Sequence, residues 1–291
     1  MFVAHTYIEE DRLTPKYRFA SLSTSTSIEV QYDRPPNCSY DIYCDFCNGP
    51  TTTIEETDMT WWNSDNTDKL FDSVYHYLCK YGVSARHRFL LKLAKEDILN
   101  LNAIDVYMPD DHEQIMVLAE KFIALEKHVN LVTSHYAGLD LLTEHAIKGK
   151  FLNYIEDTPQ DLTALTYGDE SFDYVHCNHT LEHIYDYKQS IAELHRVLRK
   201  GGTLIITVPM HYQQENNLEW ARLDSDGNIL WNYQPAYHGR GTEFPVFWEF
   251  GIQLFYDIKE IFSASEVTLE TYVDYSIGVF NQGFNIIRVK K

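Results

Sequence analysis

The sequence predicts an α/β fold: a doubly wound, mostly parallel sheet of seven strands behind a small N-terminal module. Three stretches carry that expectation. Residues 171–210 read as strand, helix, strand; residues 103–135 repeat the pattern; residues 267–289 read as an antiparallel closing pair. A strand–helix–strand unit in one sheet crosses over right-handed between parallel strands, and repeating it gives a sheet with helices on both faces.

The chain has 291 residues, 44% of them hydrophobic, enough for one large domain or a medium one with a small companion. Its net charge is −19. Such an acidic surface repels phosphate backbones and anionic lipid, so neither nucleic acid nor a membrane is expected as a partner. No apolar run approaches the roughly 18 residues of a membrane span. The start, MFVAHTYIEEDRLTP, lacks the basic and apolar regions of a signal peptide. Five cysteines, an odd number, suit reduced thiols in a cytoplasm.

The elements follow in order. Residues 1–37 are Ser/Thr-rich and read as an arm; with the cysteine-bearing stretch they form a module over 1–85, and the main domain runs over 86–291. Cys44-Asp45-Phe46-Cys47 is a CxxC pair followed by Asn48-Gly49, a turn suited to a zinc knuckle. His76 and Cys79 offer a second pair, and the four together would make a tetrahedral Cys3His site. The competing reading is a module packed by Trp61, Trp62 and Phe71 without metal. Residues 86–101 form an amphipathic helix that buries Phe89, Leu90, Leu93 and Ile98. Ile104–Met108 is the first strand, 114–127 a helix, Val129–Thr133 the second strand and Phe151–Ile155 the third.

Phe172–Cys177 is the next strand. Ile191, Leu194, Val197 and Leu198 then share one helix face. Lys200-Gly201-Gly202 should cap that helix, and Leu204–Val208 is an apolar run suited to a strand covered on both faces. Residues 211–250 are a long insertion, a lid rich in aromatics: Trp220, Trp231, Tyr233, Tyr237 and Trp248. Residues 251–264 form the last helix. Val267–Asp274 and Phe284–Val289 pair through a turn at Asn281-Gln282-Gly283.

The run SFDYV…NHTLEH…LHRVLRKGGTLIITVP resembles the second half of a class I S-adenosylmethionine-dependent methyltransferase of the type 11-like kind, whose pattern there is sFD-V…lEH…RvLkpGG…i-vP. Further matches are EDTPQDLTAL at 156–165, Tyr237-His238-Gly239 in the insertion and Phe250-Gly251 after it. The resemblance implies a Rossmann-like fold and transfer of a methyl group from S-adenosylmethionine to a small-molecule or saccharide acceptor. It also implies a cofactor edge made of Met108 and Asp110, Ser134 and His135, Asp157 or Asp161 with Leu162, and Asn178 with His179. Two departures stand out. The loop after the first strand has no glycine, and Ser134-His135 stands where a ribose-binding carboxylate is usual. Asp161 is favoured for the adenine amino group, although Asp is also a good turn cap. Relatives often carry an N-terminal CxxCg…CpxCgs-xRHR segment. Here Gly82 stands in place of the fourth cysteine, so His76 or Cys38 would have to complete a zinc site.

His183 and His238 are the acid/base candidates, since imidazole titrates near neutrality; a structural helix-start pairing is the alternative for His183. The departures also leave open a methyltransferase relative that binds without catalysing, or a zinc-dependent interaction module.

Overall fold

A computed structural model describes residues 16–20, 41–44, 49–53, 85–101, 105–109, 129–135, 152–211, 214–238, 244–274 and 279–291. The strands are β1 (Lys16–Ala20), β2 (Asp41–Cys44), β3 (Gly49–Thr53), β4 (Asp105–Pro109), β5 (Val129–His135), β6 (Leu152–Pro159), β7 (Phe172–Asn178) and β8 (Leu198–Thr207). The insertion holds β9 (Leu218–Glu219), β10 (Ala221–Leu223), β11 (Ile229–Trp231), β12 (Tyr237–His238), β13 (Phe244–Pro245) and β14 (Trp248–Glu249). β15 (Glu266–Asp274) and β16 (Val279–Lys290) close the chain. The described helices are α1 (Ala85–Leu101), α2 (Tyr187–Val197) and α3 (Gln253–Ile261).

One eight-stranded sheet runs β1-β15-β16-β8-β7-β4-β5-β6. β6, β5, β4, β7 and β8 are mutually parallel, and β16, β15 and β1 are antiparallel to their neighbours. The order reverses direction at β4, between β5 and β7. That is where an open α/β sheet leaves a crevice beyond its carboxyl ends. Seven of these strands are the expected ones. The eighth, β1, comes from the N-terminal arm and pairs Lys16 with Val273 through Ala20 with Leu269.

The amphipathic patterns appear where predicted. Phe89, Leu90, Leu93 and Ile98 of α1 are all buried, as are Ile191, Leu194 and Val197 of α2. Each such side chain removed from water contributes about 1.5–3 kcal/mol. The outward side of α2 anchors a neighbouring segment. Arg196 donates to Glu193 at 2.9 and 2.8 Å, to Asp169 at 2.9 Å, and to the carbonyls of Tyr167 and Leu165 at 2.8 and 2.9 Å. Glu193 in turn accepts from the Leu165 amide at 2.9 Å. This clamp fixes the 165–169 segment just after the turn that carries Asp161 and Leu162. Beside this clamp, Arg199 ties β8 to the starts of β4 and β7 through Asp105 at 2.7 Å and Asp173 at 2.9 Å.

Two expectations are corrected. α2 ends at Val197 without a glycine cap: Leu198 is already extended (φ −75°, ψ 131°) because β8 begins there, pairing with Phe172. Gly201 keeps a left-handed φ of 79°, but inside β8. Gly202 is needed for close approach, since a Cβ would lie 2.8 Å from the Asp173 carbonyl oxygen. Likewise Asn281-Gln282-Gly283 lies within β16, not in the hairpin turn. The ladder shifts between Tyr272–Phe284 and Asp274–Val279, and the extra residues of β16 are taken up there.

Candidate functional site at the carboxyl edge of the sheet

Parallel register gathers the predicted cofactor residues at one edge. Pro109 at the end of β4 lies beside Ser134, Ser134 beside Thr158, and His135 beside Pro159. β4 joins β7 through Val106–Tyr174 and Tyr107–Val175, and Asn178 pairs with Thr207 at the end of β7. Met108 is buried at 3% exposure. Ser134 is buried too, with its hydroxyl 2.7 Å from that of Tyr107. The backbone of His135 ends β5. Asp157 lies inside β6, which runs past the predicted end of the third strand to Pro159. The side chains of both fall outside the described residues, as does all of Asp110. Asp161 is exposed beyond β6; its Oδ1 accepts from the Thr163 amide at 2.8 Å and hydroxyl at 2.7 Å. One carboxylate oxygen therefore holds the turn, and Leu162 beside it is buried.

The end of β7 is built tightly. Asn178 Oδ1 accepts from the Thr207 hydroxyl at 2.7 Å. His179 sits at φ 50°, an unfavourable region for a side-chain-bearing residue, and its amide donates to the Thr207 carbonyl at 2.8 Å. The chain then turns through a 3-10 turn, Leu181–His183. This turn brings together groups that lie far apart in sequence. Glu182 is 1% exposed. Its Oε1 lies 3.6 Å from His179 Nδ1, 3.9 Å from His183 Nε2 and 4.0 Å from His238 Nδ1.

His183 Nδ1 is 2.9 Å from the Pro245 carbonyl. A carbonyl only accepts, so Nδ1 carries the hydrogen and Nε2 presents its lone pair. His238 Nδ1 lies 3.1 Å from that Nε2 and is therefore the donor in this contact. Burial lowers the His183 pKa to about 4, opposed by the Pro245 contact and helped by His238, so its ring is neutral at neutral pH. The insertion grips this turn at further points. The Phe247 amide donates to the Glu182 carbonyl at 2.8 Å, and the Trp248 indole to the Tyr185 carbonyl at 2.8 Å.

The two predicted acid/base histidines are thus side by side, 55 residues apart in sequence. His179, expected at the cofactor, also faces Glu182. Glu182 itself was not singled out for the site; its only signal was its place between Leu181 and His183. The insertion aromatics stack mainly on one another and on the domain: Trp220 with Tyr233 at 5.0 Å, Trp231 with Tyr237 at 5.2 Å, and Trp248 with Tyr187 at 5.0 Å. Cys44 ends β2, its backbone paired with Gly49. Its side chain, and all of Cys47, His76 and Cys79, lie outside the described residues.

Residues 118–206 match the family model described as a methyltransferase domain. Over those residues the chain is similar to a methyltransferase domain. The matched stretch includes β5 through most of β8, and so the ends of β5, β6 and β7 but not the end of β4 or the insertion. Two relatives align with this chain. A mitochondrial ubiquinone biosynthesis O-methyltransferase of Dictyostelium discoideum is 27% identical over 158 residues, 50% of this chain and 48% of the relative. A demethylmenaquinone methyltransferase of Alkalihalophilus pseudofirmus is 32% identical over 156 residues, 50% of this chain and 64% of the relative. The chain therefore spans less than two thirds of the length of either. A solved S-adenosylmethionine-dependent methyltransferase from Mesorhizobium loti aligns at TM-score 0.46 and 12% identity, over 71% of this chain and 98% of that one. No described helix is long and apolar enough to cross a membrane.

Proposed function

We propose that this chain transfers a methyl group from S-adenosylmethionine to an oxygen of a small-molecule acceptor, with a quinone-type ring as the leading class. The methyltransferase domain match over residues 118–206 carries this reading, and the names of the two aligned relatives support the acceptor class. A saccharide stays in the same reading as the alternative acceptor for the aromatic insertion. Catalysis as such is proposed; a failed test would leave a methyltransferase-fold protein that does not catalyse and serves in binding or as a scaffold.

The cofactor-edge residues fit the group in kind at three of four strand ends. Ser134 and His135, Asp161 with Leu162, and Asn178 with His179 offer polar partners and an apolar wall. The β4 end departs from the pattern, because Met108-Pro109 brings a buried side chain and a residue with no amide hydrogen. When bound, S-adenosylmethionine supplies a methyl group on a positively charged sulfur. The chain's own contribution is to hold the acceptor in attack geometry and to help its proton leave. His183 and His238 are proposed to help that proton leave. His183 orients the His238 ring through the 3.1 Å contact, and half-exposed His238 is the one of the two proposed to meet the acceptor. The reading also keeps a cytoplasmic location and a structural zinc on Cys44, Cys47, His76 and Cys79.

Calorimetric titration with S-adenosylmethionine and S-adenosylhomocysteine tests the core of the proposal. Binding in the micromolar range is expected, and none at millimolar ligand would overturn it. Asp161→Ala is expected to weaken cofactor binding by about tenfold, the loss of roughly one hydrogen bond to a charged group. Unchanged affinity would remove Asp161 from the adenine site and leave it as the turn cap.

A further inference from the structure

We propose that Glu182, His183 and His238 form a binding site for one divalent transition cation, at the carboxyl edge of β7 beneath the insertion. The assignment starts from geometry. One ligand atom from each residue lies within 4.8 Å of the others. Glu182 Oε1, His183 Nε2 and His238 Nδ1 form a triangle with sides of 3.1, 3.9 and 4.0 Å. The point equidistant from those three corners is about 2.1 Å from each, which is the length of a zinc–imidazole or zinc–carboxylate bond. The three donors thus stand close to where a cation would hold them; a tetrahedral shell, whose ligand atoms lie about 3.4 Å apart, needs Glu182 Oε1 to move in from its 3.9 and 4.0 Å separations.

The surroundings suit the assignment. A ligating imidazole presents one nitrogen to the metal while its other N–H is held by a carbonyl or carboxylate. His183 meets that requirement through the Pro245 carbonyl at 2.9 Å. His238 needs only to carry its hydrogen on Nε2 instead of Nδ1, a tautomeric shift that keeps the ring neutral. Imidazole with carboxylate favours borderline cations such as Zn2+, Co2+ or Fe2+ over Mg2+ and Ca2+, which prefer all-oxygen shells.

Three protein ligands leave a coordination position open, the arrangement of catalytic rather than structural sites. This part rests on the proposed methyl transfer. The open position would take the acceptor's hydroxyl oxygen, and coordination would lower that hydroxyl's pKa so that its proton leaves to solvent as the oxygen–methyl bond forms and the methyl–sulfur bond breaks, the electron pair of that bond staying on the sulfur of S-adenosylhomocysteine. The substrate class narrows to acceptors whose reacting oxygen can ligate a metal. In that state the two imidazoles act as ligands and not as the proton's first acceptor.

The experiment uses the full chain, stripped with a chelator and desalted, then titrated with Zn2+ by calorimetry and with Co2+ by visible absorption. Wild type and Cys44→Ser are both expected to bind an ion with a nitrogen/oxygen-type Co2+ spectrum. His238→Ala and His183→Ala should each lose at least about tenfold in affinity along with that spectrum. His238 is half exposed in a short ribbon, so its truncation should leave the circular dichroism of the domain unchanged. Three results would overturn the site: no binding at millimolar ion, wild-type binding in both histidine variants, or loss of all binding in Cys44→Ser, which would put the ion in the cysteine segment. Titration with S-adenosylhomocysteine separates the two proposals. Cofactor binding without any cation site leaves methyl transfer standing, whereas a cation site without cofactor binding leaves only the metal.

Discussion

Arg288→Met is expected to destabilise the chain by about 3–5 kcal/mol at neutral pH, the cost of removing one partner from a buried ionic network. Arg288 lies in β16 and donates from Nε to Glu270 Oε1 at 2.8 Å and from Nη1 to Asp97. Glu270 is 2% exposed, and the Asp97 side chain on α1 is 18% exposed. This network joins α1 to the antiparallel end of the sheet. Burial works against the charge of Arg288, but Asp97 and Glu270 outweigh it, and its pKa is raised. Burial raises the pKa of Asp97 as well, and Arg288 pulls it down without cancelling the rise. The two shifts agree in meaning: the arginine is held charged, and the carboxylate is a cost that the arginine reduces.

The pH dependence follows from the sign of the Asp97 shift. A carboxyl whose folded pKa is raised binds its proton more tightly in the folded state. Its contribution is fully present below the unfolded value of about 3.8 and is lost as pH rises through the folded value. In Arg288→Met the folded pKa of Asp97 moves further up, because the attraction that lowered it is gone. The variant's deficit should therefore shrink between about pH 7 and about pH 4. Denaturant unfolding at the two pH values measures it. An equal deficit at both would mean that lost packing by the arginine stem, and not charge, sets the cost.

Where local pattern and tertiary demand coincide, the fold was legible in the sequence. The stripe of Ile191, Leu194 and Val197 and the run Leu204–Val208 are each buried by the same unit that makes them helix and strand. Local signals misled where pairing over distance prevailed. Asn281-Gln282-Gly283 has the composition of a turn, but it lies inside β16, at the register shift between the Tyr272–Phe284 and Asp274–Val279 pairs of the ladder with β15. Lys200-Gly201-Gly202 looks like a helix end, yet Leu198 already belongs to β8. The site was legible residue by residue and not as a constellation. His183 and His238 were marked by their chemistry. Their contact depends on a ribbon, β12 with β13, of only two paired residues per strand, which no periodicity announces. Glu182 was hidden because a carboxylate beside a histidine at a helix start is common for structural reasons alone.

Gly251→Ala should have a comparably large effect through a different mechanism. A Cβ at Gly251 would lie 2.5 Å from the Gln214 carbonyl oxygen and 2.6 Å from that of Asn216. Both obstacles are backbone, so no side chain can swing aside. The segment they belong to cannot easily retreat. The amides of Ile252 and Gln253 donate to the carbonyls of Gln214 and Glu215 at 2.9 and 3.0 Å, and the Gly251 amide donates to Asn217 Oδ1 at 3.1 Å. Asn217 in turn reaches the Tyr187 hydroxyl at 2.9 Å, which donates to buried Asp257 at 2.6 Å. Relieving the collision means breaking this seam between the root of the insertion and the start of α3. Overpacking of this kind costs about 1–3 kcal/mol or somewhat more. For a domain of this size that is roughly 2–4 °C of Tm per kcal/mol. Because the seam is also the base from which the insertion reaches back to Glu182 and His183, the surviving folded protein should bind Co2+ more weakly than wild type. Gly202→Ala, whose collision lies far from the insertion, should lower Tm without that second effect. If Gly251→Ala lowered Tm and left cation binding as it was, the insertion would hold His238 in place by its contacts to the 3-10 turn alone.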